Sequence, residues 1–269
     1  MRVVIDTFTV ADLAACWPVP GPRDHKYTRG VVGIDAGSTR YPGAALLAVA
    51  GALGTGPGMV RYLGSAPGEL VISRHPSVVL ADGQVQALVL GPGWGPRADA
   101  GQRLEEACSR RVPMVIDADA LRHLPNPVPE GCLITPHAGE LAMLLGVPRR
   151  DVEAEPVAAA QEAADMFRVT VLLKGAVQPV AAPGGQVRLA LPGPAWSAQA
   201  GSGDVLAGAC GTLLAAGLPV AVAALAAASL QALVATRFPG PWPPHVQAAR
   251  FPGVVADLVS GSAGSGTSA

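Results

Sequence analysis

Charged side chains are scarce in this sequence of 269 residues: only 14% are Asp, Glu, Lys or Arg, whereas soluble domains usually carry about 25%. Two windows, Tyr41 to Val60 and Val205 to Thr236, contain no charged residue, and each is long enough to cross a bilayer, which needs about 20 apolar residues. A membrane span is therefore one interpretation. Short buried helices fit better, because glycines interrupt the first window and Gly217-Leu218-Pro219 breaks the second.

Basic runs, paired cysteines and a leader are also missing. With 19 basic and 20 acidic residues the net charge is −1, so we expect no nucleic-acid partner. Acidic residues occupy the N-terminal segment MRVVIDTFTVADLAAC, where a signal peptide needs a basic flank and an apolar core. The four cysteines are far apart and form no C-x-x-C pair, a pattern typical of neither a zinc site nor a disulfide framework. We therefore expect free thiols, a cytoplasmic location and no membrane partner.

Short β-branched runs alternate with longer Ala- and Leu-rich stretches, which indicates an α/β fold with helices on both faces of a mainly parallel sheet. The predicted strands are Gly30 to Ile34, Met59 to Leu63, Ser77 to Leu80, Ala87 to Leu90, Met114 to Ile116, Leu133 to Thr135 and Thr170 to Leu173, then a hairpin of Val180 to Ala182 and Val187 to Leu191. The predicted helices are Pro42 to Leu53, Pro96 to Arg111, Gly139 to Leu145, Pro156 to Phe167, Val205 to Ala216, Val220 to Thr236 and about Val246 to Leu258.

Small or polar clusters follow nearly every predicted strand. They are Asp35 to Ser38, Gly91 to Gly95, Asp117 to Asp119, Pro136 to Glu140 and Lys174 to Ala176. Because ligands bind beyond the carboxyl ends of parallel strands, we expect these clusters to form one binding rim. A rim this rich in glycine suits a long ligand that lies against exposed backbone amides.

The sharpest motif is the glycine-rich turn Gly201-Ser202-Gly203-Asp204, which opens a predicted helix. The free amides of a helix start, together with the helix dipole, form an anion site. A carboxylate there has the wrong sign to hold phosphate, so we expect Asp204 to take a proton from a hydroxyl that attacks a phosphoryl group. The alternative is that Asp204 only caps the helix.

These segments, taken in order, resemble the ADP-dependent NAD(P)H-hydrate dehydratases of the ribokinase-like superfamily. The matching pieces are His25 to Gly30, Gly37 to Ala44, Gly91 to Gly95, Asp117 to Leu121, Thr135 to Glu140, Lys174-Gly175 and Gly201 to Gly208. The resemblance implies a three-layer αβα sandwich with a central, mainly parallel sheet. We expect one such domain over residues 1–260 and a flexible tail at 261–269.

The resemblance also implies a repair reaction. The family removes water from the S epimer of hydrated NADH and NADPH while it converts ADP to AMP and phosphate. Two other functions stay open: an ATP-dependent kinase of a small hydroxymethyl vitamin precursor on the same fold, and a catalytically silent nucleotide-binding protein. Relatives are often fused to an epimerase domain, which we expect here to be a separate or absent segment.

The family's site residues carry over to named positions of this sequence. Asp204 would be the catalytic base and would contact the substrate, together with Ala44, Gly93 and His137. Nucleotide contacts would come from Lys174, Gly175, Ala176, Val177, Gln178, Gly201, Ser202 and Gly203. ADP and Mg²⁺ would be bound, with no dedicated protein ligand for the metal and with Glu140 in contact only through water. The family also implies a homo-oligomer, a tetramer among relatives.

Several positions have alternative or divergent interpretations. His137 could simply be a packed corner before a helix, and at least one of Asp117 and Asp119 is expected to brace loops. The family usually has Thr where this chain has Gln178, and His where it has Gln231. These departures concern the nucleotide preference rather than the reaction.

Overall fold

A nine-stranded sheet forms the centre of the computed structural model, which describes residues 5–264. Its strands are β1 (Ile5–Thr7), β2 (Val31–Asp35), β3 (Met59–Tyr62), β4 (Ala87–Leu90), β5 (Met114–Ile116), β6 (Cys132–Ile134), β7 (Thr170–Leu172), β8 (Pro179–Ala182) and β9 (Gln186–Leu189). Their order is β1-β9-β8-β7-β6-β5-β4-β2-β3. Only β8 runs antiparallel to its neighbours, β7 and β9. The predicted mainly parallel sheet and its terminal hairpin are confirmed.

Helices connect the strands and cover both faces of the sheet. They are α1 (Val10–Cys16), α2 (Pro42–Thr55), α3 (Gly68–Arg74), α4 (Ala100–Ser109), α5 (Ala138–Leu145), α6 (Arg149–Ala154), α7 (Pro156–Phe167), α8 (Ser202–Ala215), α9 (Val220–Arg237), α10 (Pro244–Ala248) and α11 (Phe251–Gly264). Two 3-10 helices, Ala118–His123 and Ala195–Ser197, complete the described elements.

Two apolar cores lie on opposite faces of the sheet. One packs beneath α2, α8, α9 and α11, and the other packs beneath α4, α5 and α7. Successive residues of a strand point to opposite faces, so Val32 and Ile34 join the first core whereas Val31 joins the second. The three-layer αβα arrangement predicted for this chain follows from this double burial.

Helices α2 and α8 pack in direct backbone contact. A Cβ atom at Gly51 would overlap the carbonyl oxygen of Val205, and a Cβ atom at Gly208 would overlap that of Ala48. Close approach of two buried helices leaves no room for charged side chains between them. The two charge-free windows are therefore largely core helices, as the sequence favoured.

Helix α9 is the one helix of residues 5–264 that is long and apolar enough to cross a membrane. Most of its span is buried inside the fold, at 67%, which makes it weak evidence for a membrane segment. The predicted break in the second window is confirmed, because α8 ends at Ala215 and α9 begins at Val220.

Two predicted elements were wrong. Ser77 to Leu80 is not a strand, because Val79 is its only residue that pairs with β3. Just after it, the Arg61 guanidinium donates hydrogen bonds to the carbonyl oxygens of Ala81 and Gln84. The helix predicted over Val246 to Leu258 is two helices, α10 and α11. Pro252 lacks the N–H that would continue the first helix into the second.

Both chain ends differ from the expectation. At the N-terminal end, the prediction missed the strand β1 and the helix α1, although Thr9 and Asp12 form a capping box that marks the start of α1. It also missed the short helices α3 and α6 in the middle of the chain. Helix α11 continues to Gly264, into the segment expected as a flexible tail at 261–269. Residues 265–269 lie outside the described part of the chain.

The contact between α2 and α8 can be tested with Gly51→Ala. We expect the added methyl group to force the helices apart and to lower the free energy of unfolding by about 1–3 kcal/mol, the usual cost of overpacking. The control is Gly101→Ala in α4, where a Cβ atom meets open space and alanine should stabilise the helix by up to about 1 kcal/mol. Chemical denaturation measures both variants, and equal effects would contradict the close contact.

Candidate active site

The polar clusters that follow the strands meet at one rim of the sheet, as predicted. Backbone hydrogen bonds join them: the Gly37 amide donates to the Pro92 carbonyl at 2.7 Å, and the Lys174 amide donates to the Pro136 carbonyl at 2.8 Å. The rim forms because β2, β4, β5, β6 and β7 run parallel and end at the same edge. The chain thereby brings segments far apart in sequence within reach of one ligand.

The glycine-rich turn lies at this rim and starts α8. Gly201 has φ of 89°, a left-handed conformation that favours glycine, and it precedes the first turn of the helix without a side-chain cap. Asp204 lies in that first turn, and its carboxylate has no hydrogen-bond partner among residues 5–264. The capping interpretation of Asp204 is therefore not what this geometry shows, and its carboxylate can accept a proton from a ligand.

Asp204 is surrounded by other carboxylates. Burial and the nearby Asp117 carboxylate together raise the pKa of Asp204 to about 7, whereas Lys174 opposes the rise. Asp119 and Glu140 act in the same direction as Asp117. A carboxylate with a pKa near neutrality is suited to accept a proton at physiological pH.

Lys174 forms a buried ion pair with Asp117 beneath the turn. Its Nζ lies 2.5 Å from Oδ1 of Asp117, whose side chain is only 1% exposed. Burial disfavours the ammonium, yet Asp117 and Glu140 hold the pKa of Lys174 above its usual value. A Cβ atom at Gly203 would lie 3.2 Å from this Nζ, so glycine leaves the lysine room beside the helix start. The pair places a positive charge next to the free amides of α8.

A cleft of about 570 Å³ opens above Asp204. Ala44 and Gly93 form part of its wall, and they touch so closely that a Cβ atom at Gly93 would overlap that of Ala44. Gly43 faces open space in the same wall. Asp119 accepts a hydrogen bond from the Gly95 amide at 2.8 Å, which confirms that one carboxylate of the Asp117 and Asp119 pair braces a loop.

His137 lies on the other side of Asp119. Its Nδ1 accepts from the Glu140 amide at 3.1 Å, and the Glu140 carboxylate accepts from the His137 amide at 2.8 Å, so the pair caps α5. The ring is nevertheless 59% exposed and lines a cleft of about 390 Å³ with Asp119 and Arg122. His137 is thus a structural corner that keeps one face available for a ligand.

The segment from Lys174 to Gln178 forms a turn between β7 and β8. Gly175, Ala176 and Val177 are exposed, and the Gln178 carbonyl accepts from the Ala190 amide at 3.0 Å. Because this contact with the hairpin uses only the backbone of Gln178, another side chain at this position would leave the contact in place. Of the residues predicted to bind the nucleotide, Lys174 is the one that the structure brings next to the glycine-rich turn, through its contact with Gly203.

Two structural supports were not predicted. Gln231 of α9 donates to the carbonyl oxygen of Ser202 at 3.0 Å and to its Oγ at 3.2 Å, and thereby holds the glycine-rich turn. Asp35 accepts from the Trp94 indole at 3.0 Å and pairs with Arg103 at 2.6 Å, which holds the Gly91 to Gly95 loop. The sequence signal for Gln231 was its departure from the family's histidine. Asp35 stood within a predicted cluster, but nothing local pointed to Arg103.

Metal ligands are sparse. Within residues 5–264 no group of three or more His, Cys, Asp or Glu side chains could hold a metal ion. The carboxylates around Asp204 are already engaged: Asp117 with Lys174, Asp119 with Gly95, and one oxygen of Glu140 with His137. This donor set fits Mg²⁺ that keeps most of its waters and is held by phosphate oxygens.

Because the pKa of Asp204 is raised, the folding stability should depend on pH through this residue. The folded protein binds this proton more tightly than the unfolded chain, whose pKa is near 3.8. The carboxylate therefore destabilises the fold above about pH 7, and this penalty disappears below about pH 4. We expect Asp204→Asn to raise the Tm at pH 8, by about 2–4 °C for each kcal/mol of this penalty that it removes, and to lose that gain toward pH 4.

Thermal unfolding between pH 4 and pH 8 measures this effect. The control is Glu162→Gln, which removes an exposed carboxylate from α7 and should not change Tm in a pH-dependent way. A gain from Asp204→Asn that is the same at both ends of the range would contradict a raised pKa.

The comparisons with known proteins agree on one family. The model of the NAD(P)H-hydrate dehydratase family matches residues 32–241. The chain is 36% identical over 231 residues to the ADP-dependent (S)-NAD(P)H-hydrate dehydratase of Neisseria meningitidis serogroup B, covering 78% of each chain. It is 47% identical over 228 residues to the bifunctional NAD(P)H-hydrate repair enzyme of Mycobacterium tuberculosis, covering 81% of this chain and 47% of the relative.

A solved structure extends the similarity to the fold. The ADP/ATP-dependent NAD(P)H-hydrate dehydratase from Bacillus subtilis, co-crystallised with ATP/Mg²⁺, superimposes with a TM-score of 0.88 at 25% identity, covering 96% of this chain and 100% of the other. The fold is thus the ribokinase-like one that the resemblance implied. The chain spans about half the length of the curated bifunctional relatives that it matches. On the family match and these identities, the chain belongs to the NAD(P)H-hydrate dehydratase family.

Proposed function

We propose that this chain removes water from the S epimer of hydrated NADH and NADPH, using ADP and forming AMP and phosphate. The observation that carries the proposal is Asp204: a carboxylate with a pKa of about 7 in the first turn of α8, beside free helix amides and Lys174. A base next to an anion site is the arrangement that activates a hydroxyl for attack on phosphate. The names of the relatives from Neisseria and Bacillus support the same reaction.

The first step is phosphoryl transfer. Asp204 takes the proton from the hydroxyl of the hydrated ring, and that oxygen attacks the β-phosphorus of ADP. The bond between this phosphorus and the bridging oxygen breaks, and AMP leaves with the electron pair. The free amides of the turn and the Lys174 ammonium face the charge that develops on the phosphoryl oxygens.

The second step is elimination. The carbon–oxygen bond to the phosphate breaks, phosphate leaves with the electron pair, and the neighbouring ring carbon loses a proton to water. The 5,6 double bond of the nicotinamide is thereby restored. Phosphorylation matters because phosphate is a far better leaving group than hydroxide, so the enzyme consumes ADP to make dehydration fast.

Each predicted site residue takes a role in this proposal. Ala44 and Gly93 admit the flat ring because they are small, and His137 offers its exposed ring face to the hydrated dinucleotide. Nucleotide contacts come from the turn before β8 and the turn before α8, comprising Lys174, Gly175, Ala176, Val177, Gln178, Gly201, Ser202 and Gly203. Mg²⁺, when bound, would neutralise phosphate charge, with Glu140 in contact through water.

Other parts of the proposal concern the setting of the enzyme. We propose a homo-oligomer in the cytoplasm with no membrane or nucleic-acid partner. The four cysteines are free thiols, which fits a reducing compartment, and the net charge of −1 argues against nucleic acid.

The activity can be measured directly. Purified protein, incubated with hydrated NADH or NADPH and ADP, should restore the absorbance band of the reduced nicotinamide and form AMP in equal amount. ATP is tested in parallel, because the Bacillus relative is ADP/ATP-dependent by name. No recovery with either nucleotide would overturn the proposal. Phosphorylation of a hydroxymethyl pyrimidine or pyridine by ATP in the same preparation would favour the kinase instead.

The role of Asp204 predicts both a loss and a pH profile. Asp204→Asn should retain nucleotide binding, measured by calorimetry, and should lose about 10²–10⁴-fold in kcat, the usual contribution of a general base. In the wild type, kcat/KM should rise with pH and level off above about 7, because the base acts only when deprotonated. Glu162→Gln serves again as control and should match the wild type. Unchanged turnover in Asp204→Asn would remove the residue from this role.

A further inference from the structure

A large apolar groove runs along the outer face of α2, outside the cleft described above. It encloses about 720 Å³ between α2, the end of α3 and the helix α10. Leu46, Leu47, Ala50 and Leu53 of α2 form its floor. We call it the α2 groove. None of the roles assigned so far uses it.

The shape of the α2 groove follows from helix geometry. Gly43, Leu47, Ala50 and Gly54 all line it, and their spacings of four, three and four residues place them on one face of the helix. Gly43 and Gly54 are eleven residues apart, which corresponds to about 16 Å along a helix axis. The groove is therefore long enough for an extended half of a dinucleotide.

The α2 groove is continuous with the active-site cleft. Gly43 and Leu47 line both of them. Leu47 also meets the glycine-rich turn, since a Cβ atom at Gly201 would overlap its Cδ1. A ligand whose reacting ring lies against Asp204 can thus extend past Leu47 into the groove without leaving the surface.

The charge of the α2 groove suits a phosphate-bearing ligand. Its ionisable lining groups are Arg74, His75 and His245, and no carboxylate lines it within residues 5–264. Arg74 is exposed and makes no ion pair in that part of the chain. The cavity beside His137, by contrast, is lined by the two carboxylates of Asp119 and Glu140 as well as by Arg122. Electrostatic complementarity favours the groove.

We propose that the α2 groove binds the pyrophosphate and adenosine half of the hydrated dinucleotide. Arg74 meets the charge of the phosphate on the adenosine side, and the apolar floor around Ala50 takes the flat face of the adenine. The inference rests on the proposed function, because the hydrated ring must lie at Asp204 for its other half to reach the groove. The groove would thus bind the part of the substrate that does not react.

Two substrates separate the groove from the chemistry. Hydrated NADH carries both halves, whereas the hydrate of reduced nicotinamide mononucleotide lacks the adenosine half. We expect the wild type to turn over the mononucleotide hydrate with kcat/KM at least about 10-fold lower, since about 1.4 kcal/mol of lost contact is a factor of ten. Arg74→Gln and Ala50→Trp should lower kcat/KM for the dinucleotide hydrate about 10-fold by raising KM. Both should leave kcat/KM for the mononucleotide hydrate and KM for ADP unchanged.

Matched controls guard against general effects. Arg150→Gln removes an exposed arginine from α6, and Ala256→Trp adds a ring to the exposed face of α11, so both should match the wild type on both substrates. ADP-ribose should inhibit competitively against the dinucleotide hydrate in the wild type and about 10-fold more weakly in Ala50→Trp. The oligomeric mass of every variant is measured by light scattering.

The outcomes distinguish the two proposals. If the wild type turns over neither hydrate, the proposed function fails and the groove assignment falls with it. If the wild type turns over both, but Arg74→Gln and Ala50→Trp leave both kcat/KM values unchanged, only the groove assignment is overturned. The groove assignment is likewise overturned if Ala50→Trp changes the oligomeric mass and no kinetic constant, because the groove is then an interface between copies.

Discussion

The contact between α2 and α8 is the constraint on which the site depends. The backbones touch because Gly51 and Gly208 lack side chains, and this brings the starts of the two helices side by side at one rim of the sheet. One start carries the small residues around Ala44, and the other carries the free amides and Asp204. A bulkier residue at either glycine would move the wall around Ala44 away from Asp204.

The electrostatics of the site follow from what lies beneath α8. The Lys174 and Asp117 pair is buried, so its charges are poorly screened. Lys174 places an ammonium group next to Gly203, while the loss of water and the Asp117 carboxylate raise the pKa of Asp204. The same pair therefore sets the charge on both sides of the start of α8. Gln231 fixes the position of the glycine-rich turn by donating a hydrogen bond to the Ser202 carbonyl oxygen.

Local patterns predicted the elements whose signal is local. The sequence predicted most buried strands, and the helices α2, α7, α8 and α9, within a few residues of their observed bounds. This is possible because apolar periodicity and Gly or Pro boundaries depend only on residues near one another in the sequence. Ser77 to Leu80 failed for a non-local reason: only Val79 pairs with β3, and the side chain of Arg61, distant in sequence, donates hydrogen bonds to the carbonyl oxygens of Ala81 and Gln84 just after it. The division between α10 and α11 was readable at Pro252 and was missed.

The sequence by itself determined the family and the order of the polar turns, and it predicts Asp204 as the base, because these depend on residue identity at motif positions. Only the tertiary structure decided the state of Asp204, since its raised pKa comes from burial and from Asp117, which follows the distant strand β5. The same holds for the supports at Gln231 and Arg103 and for the α2 groove, whose walls come from helices far apart in the sequence. Contacts of this kind join residues far apart in the chain, and no local pattern encodes them.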